Sequence, residues 1–266
     1  MLNLFKVEFL RLVKSKLFIV SVIVCLSLAL LNGSVYFIFG IIDGNRSEQS
    51  AIELTLMSQP LTGIPGGVLY GIFLISFITT DLRDGTIRNK MVAGYTRLEI
   101  YISYLLVALL YVFSLLITSF LLVFICCIFV YNPNLVHFNV SYCLDTLLFI
   151  IIGYIMIITL CVLLSLTING RVVPILIFIG IIYGLVIVGG ITDGLSRTFK
   201  SDAVSNMFEY LSKINPIYAI KEVGTAEGKD IYYEKINFVG LFVIPVLVTI
   251  ANVFGAIFLF NRKDYK

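Results

Sequence analysis

Tryptophan is absent from the 266 residues, and histidine occurs once, at His137. Charged residues make up only 13% of the chain, against about 25% in a water-soluble domain. Hydrophobic residues make up 59%, against roughly 45–50%. The mean hydropathy is +1.03. These values exclude an ordinary soluble domain. The net charge of +3 lies in short basic clusters beside apolar runs, which points to membrane flanks and away from a nucleic-acid partner.

A single histidine cannot build a His-based metal centre, and no serine has a general base beside it. His137, next to Asn132-Pro133-Asn134, reads as an ordinary loop residue. Five cysteines (Cys25, Cys126, Cys127, Cys143 and Cys161) sit in or beside apolar stretches without metal-ligand spacing. They read as small hydrophobes in lipid-buried helices. Without tryptophan, tyrosine and phenylalanine must supply any interfacial belt. No GKS or GKT segment occurs, so the chain has no nucleotide-binding P-loop of its own.

What is present is apolar sequence in long runs. An α-helix of about 20 apolar residues crosses about 30 Å of hydrocarbon. Six stretches qualify or nearly do: Leu17–Ile42, Ile64–Thr80, Ile100–Val130, Thr146–Ile168, Val172–Ile191 and Ile236–Phe260. The second is the shortest and opens on Pro65, Gly66 and Gly67. The third is longer than a bilayer requires and is expected to tilt. Pro245 predicts a kink in the sixth, where Asn252 reads as packing glue. The expected fold is all-α: a polytopic membrane protein whose residues 1–266 form one transmembrane domain. Its six transmembrane helices are expected near 17–42, 64–80, 100–130, 146–168, 172–191 and 236–260.

Of the 19 Lys and Arg residues, 12 fall in the N-terminal segment, residues 81–99, the 169–171 turn and the tail. Positive charge marks the cytoplasmic side. The expectation is a multi-pass protein of the cytoplasmic membrane with both termini inside. The run of about 26 residues after Lys16 is well beyond the 7–15 of a signal-peptide core, so it is expected to stay attached. In residues 1–16, Phe5, Phe9, Leu12 and Val13 form one stripe, opposite Asn3, Lys6, Glu8, Arg11 and Lys14. This predicts an interfacial helix with Lys6, Arg11, Lys14 and Lys16 on inner-leaflet phosphates. Residues 192–235 form the largest outer segment. Val204, Phe208 and Leu211, with Met207 and Ile214 beside them, predict a helix there that ends at Asn215-Pro216 and rests on the outer leaflet or caps the bundle.

None of the six runs contains Asp, Glu, Lys or Arg, and Glu99 and Asp145 lie at their ends. Coupled transporters usually place ionisable groups at mid-membrane, so secondary transport is disfavoured. Asp81-Leu82-Arg83-Asp84 resembles half of a Mg²⁺-diphosphate site, but the cytoplasmic loops supply no second aspartate cluster. The stretch from Asp81 to Tyr101 is the informative one. Asp84-Gly85 predicts a turn. Thr86 can N-cap a short helix that shows Arg88 and Lys90 to solvent and offers Ile87 and Met91 as an apolar anchor. Gly94 suits the left-handed stop. Thr96-Arg97-Leu98-Glu99 is a capping box that starts the next helix.

Asp84-Gly85-Thr86-Ile87-Arg88-Asn89-Lys90, followed by Gly94-Tyr95-Thr96-Arg97 and Ile100-Tyr101, resembles the hallmark of ABC-2-type permeases, the membrane subunits of Gram-positive ABC exporters. The elbow helix, six spans and outer helical region resemble that family's plan. The resemblance implies that residues 86–97 include a coupling helix docked on a separate ATPase subunit. Its contact residues would be Asp84, Thr86, Ile87, Arg88, Lys90, Met91 and Arg97. It implies a second permease protomer, identical or different, and ATP and Mg²⁺ bound by the partner subunit, with no cofactor in this chain. The chain itself would be a transport subunit and no enzyme. Small permeases of this kind resemble exporters of antimicrobial or cytolytic peptides, and an uncharged interior suits an amphipathic peptide. Hydrophobic drugs or lipids are the alternative cargo. A membrane-embedded enzyme or a non-transporting scaffold or sensor is the alternative class.

Overall fold

Runs of Leu, Ile, Val and Phe leave the backbone no water to bond, so each run must satisfy its own N–H and C=O groups as a helix. The structure, a computed structural model, describes residues 2–42, 51–128, 140–199, 202–217 and 239–262. Among these, the elements are helices throughout: α1 (Leu2–Lys14), α2 (Lys16–Ile42), α3 (Ala51–Arg83), α4 (Thr86–Val92), α5 (Arg97–Ile128), α6 (Val140–Thr167), α7 (Val172–Thr198), α8 (Asp202–Ile214), a π-helical turn (Val239–Val243) and α9 (Ile244–Arg262). His137 lies outside the described residues, as do the second half of the expected outer segment and the lysines of the tail.

Among the described residues, five segments are long and apolar enough to cross a membrane: Lys16–Val35, Arg97–Cys126, Leu147–Thr167, Val172–Thr198 and Val239–Arg262. The run expected at Ile64–Thr80 belongs to a longer helix, because α3 has 33 residues and continues through Pro60 and Pro65. It also continues past Thr80 to Arg83, which places Asp81 on a helix and not in a loop. The side chains of residues 51–66 lie outside the described ones. Near Pro245, which has no N–H to donate, the irregular backbone falls in the preceding π-helical turn, and a regular helix follows.

α3, α5 and α6 form the centre. α2 packs on α3 and α5, α9 packs along α6, and α7 packs against α3 and α6. The largest wholly buried side chains include Ile75, Ile78, Tyr104, Leu115, Ile158, Phe178 and Phe260. Polar atoms join the helices where lipid-like packing alone gives little preference. Tyr70 Oη donates to Cys25 Sγ at 3.2 Å, and Cys25 Sγ donates to the Leu115 carbonyl at 3.4 Å. Asn252 Nδ2 lies 3.4 Å from Thr159 Oγ1, between α9 and α6.

At the far end from α4, α8 forms where its periodicity predicts and stops at Asn215. It folds back along α7: Ser205 Oγ donates to the Ser196 carbonyl at 2.6 Å, and Asn215 Nδ2 donates to the Leu185 carbonyl at 2.6 Å. Phe208 stacks on Phe199 with ring centroids 5.5 Å apart, whereas Val204, Met207 and Leu211 face outward. α8 therefore covers only part of its expected apolar face.

Candidate functional site

The ionisable groups that the apolar runs lack are gathered at one end of the bundle, where α1, α3, α4 and α5 meet. Leu4, Glu8 and Leu12 stand four residues apart and share one face of α1, and all three are buried. The expected polar arc of α1 is thus divided. Lys6, Lys14 and Lys16 are exposed, but Glu8 turns into the bundle. The expected apolar stripe is divided too. Leu12 is buried, while Phe9 and Val13 remain outside with Phe5 and Phe9 stacked at 6.2 Å.

The last turn of α3 delivers Asp81, 0% exposed, to the same place. Arg11 pairs with Asp81 and lies over the Phe77 ring at 5.8 Å. Arg11 was expected at lipid phosphates, but its guanidinium meets a carboxylate of its own chain. Lys90 enters from α4 with its side chain 11% exposed, where solvent exposure was expected. Its Nζ is 2.7 Å from Glu8 Oε1, donates to Tyr104 Oη at 2.7 Å, and is 3.4 Å from Asp81 Oδ2. Tyr104 Oη in turn donates to Asp81 Oδ2 at 2.5 Å. The physical reason for both differences is the same: two buried carboxylates need cations, and α1 and α4 supply one each.

With Glu8 and Asp81 negative and Arg11 and Lys90 positive, the cluster is balanced. Burial pushes the Glu8 carboxyl above its ordinary value, against the opposing pull of Lys90. Glu8 Oε2 has no hydrogen-bond donor and only Arg11 Nη1 at 3.8 Å. Burial alone would lower the Arg11 guanidinium, but Asp81, joined by Glu8 and Tyr104, holds it above its ordinary value.

α4 closes over this cluster. Gly85 precedes it with φ 69, and Gly94 follows with φ 90, the left-handed stop expected there. Thr86 is the first helical residue instead of the cap, and its hydroxyl donates back to the Asp81 carbonyl at 2.9 Å. Ile87, expected as an anchor for a partner, is 1% exposed and belongs to the chain's own core. Met91 packs beside it, half-buried. The surface left open consists of Asp84, Arg88, Asn89, Ala93 and Val92, the last 81% exposed. Asp84 pairs with Arg83 at 3.2 Å. The capping box forms in both directions: the Thr96 N–H donates to Glu99 Oε2 at 2.9 Å, and the Glu99 N–H donates to Thr96 Oγ1 at 3.2 Å. Arg97 reaches the last turn of α9, donating to the Phe260 carbonyl at 2.9 Å and the Asn261 carbonyl at 2.5 Å. That contact puts the start of α5 and the end of α9 at the same end of the bundle as α4.

The structure thus brings Lys90 and Arg11 together, leaves Arg88 and Asp84 on the surface, and sends Arg97 to another helix. Tyr104 was not singled out from the sequence, which placed Glu8 only on the polar arc of α1 and Asp81 only in half of a Mg²⁺-diphosphate pattern. The Leu4-Glu8-Leu12 spacing was the one signal able to find Glu8. Among the described residues, no three His, Cys, Asp or Glu side chains are grouped to hold a metal ion. No protein-family model and no curated protein sequence matches the chain.

Proposed function

We propose that this chain is the membrane permease subunit of an ATP-driven ABC exporter that carries amphipathic or antimicrobial peptides out across the cytoplasmic membrane. In this proposal α3 supplies the sixth span, both termini are cytoplasmic, α1 is the elbow helix and α4 the coupling helix. A separate ATPase subunit binds ATP and Mg²⁺, and a second permease protomer completes the path.

One observation carries the proposal. α4 is a seven-residue helix that is fixed from inside by Ile87 and Lys90 and open outside at Arg88, Asn89 and Val92. A helix transmits force only if its attachment is stiffer than its contact. Lys90 ties α4 directly to Glu8 of α1, Asp81 of α3 and Tyr104 of α5. A displacement of α4 by a partner therefore reaches three other helices without passing through a flexible loop. Arg88 and Val92 suit a partner surface that combines carboxylates with a shallow apolar pocket.

The cargo assignment rests on the runs themselves, which contain no Asp, Glu, Lys or Arg. They cannot replace the hydration shell of an ion at moderate cost. A peptide that keeps its apolar face on Phe, Leu and Ile and its charged face on water or headgroups avoids that cost. Amphipathic helical peptides are expected to stimulate ATP hydrolysis by the complete complex and scrambled peptides of equal composition to be inert. Equal stimulation by both, or stimulation by hydrophobic drugs alone, would replace the peptide by a drug or lipid cargo.

A further inference from the structure

α1 touches three environments at once. Leu4, Glu8 and Leu12 face the bundle. Phe9, Leu10 and Val13 are exposed apolar side chains, and Lys6, Lys14 and Lys16 are exposed cations around them. An exposed apolar face rimmed by lysines on a helix flanking a membrane span fits an anionic leaflet surface, both by burial of the apolar side chains and by charge. The bundle side of the same helix holds Lys90 of α4 through Glu8 Oε1 at 2.7 Å. Glu8 is the only α1 group bonded to α4 among the described contacts. Arg11 is occupied by Asp81 on α3.

We propose that α1 is a lipid-charge sensor whose reading is passed to α4 through the Glu8–Lys90 bond. Anionic headgroups hold Lys6, Lys14 and Lys16, which keeps α1 seated, and a seated α1 keeps Glu8 on Lys90. When α1 lifts, Glu8 and Arg11 leave together, and Lys90 keeps only Tyr104 and the more distant Asp81 carboxylate. α4 thereby loses its 2.7 Å ion pair to α1, and the two charges left behind, Lys90 and Asp81, have only each other at 3.4 Å, a weaker arrangement in low dielectric. α4 loosens as a result. Membrane composition thereby sets how rigidly the exposed Arg88–Val92 surface is presented, whatever docks there. The inference goes beyond the transport proposal and does not need it.

The test uses the full chain alone in lipid nanodiscs, so it is independent of any ATPase. Hydrogen exchange is followed for the amides of Asn89, Ala93, Gly94 and Tyr95, whose bonds close α4. Discs of phosphatidylcholine are compared with discs containing phosphatidylglycerol. Exchange in α4 is expected to be about tenfold slower in the anionic discs, a fraction of what three lysines near a charged surface can supply. Glu8→Gln is expected to abolish that difference in α4 while α1 itself still responds to lipid. The swap Glu8→Lys with Lys90→Glu is expected to restore it. Lipid-independent exchange of α4 in the natural chain, or a lipid response that survives Glu8→Gln, would overturn the proposal.

Discussion

Lys90 has three ammonium protons and three acceptors inside the protein: Glu8, Asp81 and Tyr104. Removing it leaves two buried carboxylates facing Arg11 alone. Breaking a buried pair on one side typically costs about 3–5 kcal/mol, so Lys90→Met should lower the thermal midpoint strongly. Glu8→Gln in the same chain restores charge balance and should recover about 0.5–3 kcal/mol of that loss as a coupling energy. Strict additivity of the two changes in a thermal-shift cycle would mean that they do not share a site. Glu8 also gives a pH dependence. Its folded carboxyl lies above the ordinary value of 4.5, so folding takes up a proton. The stability this contributes is full below 4.5 and is lost as pH rises through the folded value. Unfolding measured over that range should show this decline in the natural chain, and Glu8→Gln should flatten it. At this scale the sequence was least legible. Arg11 and Lys90 look like surface cations until the fold shows that Asp81 is helical and buried, a fact that depends on α3 running three residues past Thr80.

At the scale of elements the local grammar was readable, because caps and stops are decided within a few residues. Gly94 has φ 90, and a Cβ added there meets no atom within 4 Å. Gly94→Ala therefore acts through backbone strain alone and should cost about 1–3 kcal/mol. Thr96→Ala removes one half of the capping box at the start of α5 and should cost about 1 kcal/mol. Thermal shifts of the two variants check both figures, and an unchanged midpoint in Gly94→Ala would mean that α4 can end without the left-handed residue. α8 was legible for the same reason, since helical spacing announces it and Asn215-Pro216 ends it. Which of its faces is covered was not, because α7 decides that by offering Ser196, Phe199 and Leu185 to it. The length of α3 was not legible from the apolar run Ile64–Thr80, because the helix begins before Pro65 and continues past Thr80 to Arg83.

For the whole molecule, apolar run length settles the helical class, and the position of Lys and Arg residues argues for the topology. Reporter fusions at positions 45, 88, 137, 170, 210 and 266 should alternate out, in, out, in, out, in. Identical reports at 210 and 266 would remove the last span. The contact of Arg97 with the Phe260 and Asn261 carbonyls already requires position 88 and the end of α9 to lie at one end of the bundle. The central claim is that α4 is the handle by which a separate ATPase drives this chain. Its most direct measurement is ATP hydrolysis by the affinity-purified natural chain, compared with an Arg88→Glu, Val92→Asp variant. Both residues are exposed and outside the buried cluster, so the variant should insert and unfold like the natural chain. An ATPase subunit and its activity should co-purify with the natural chain and fall more than tenfold in the variant, as expected for reversing one charge and placing another in a docked apolar contact. Absence of ATPase activity from the natural preparation, or its full retention in the variant, would contradict the claim.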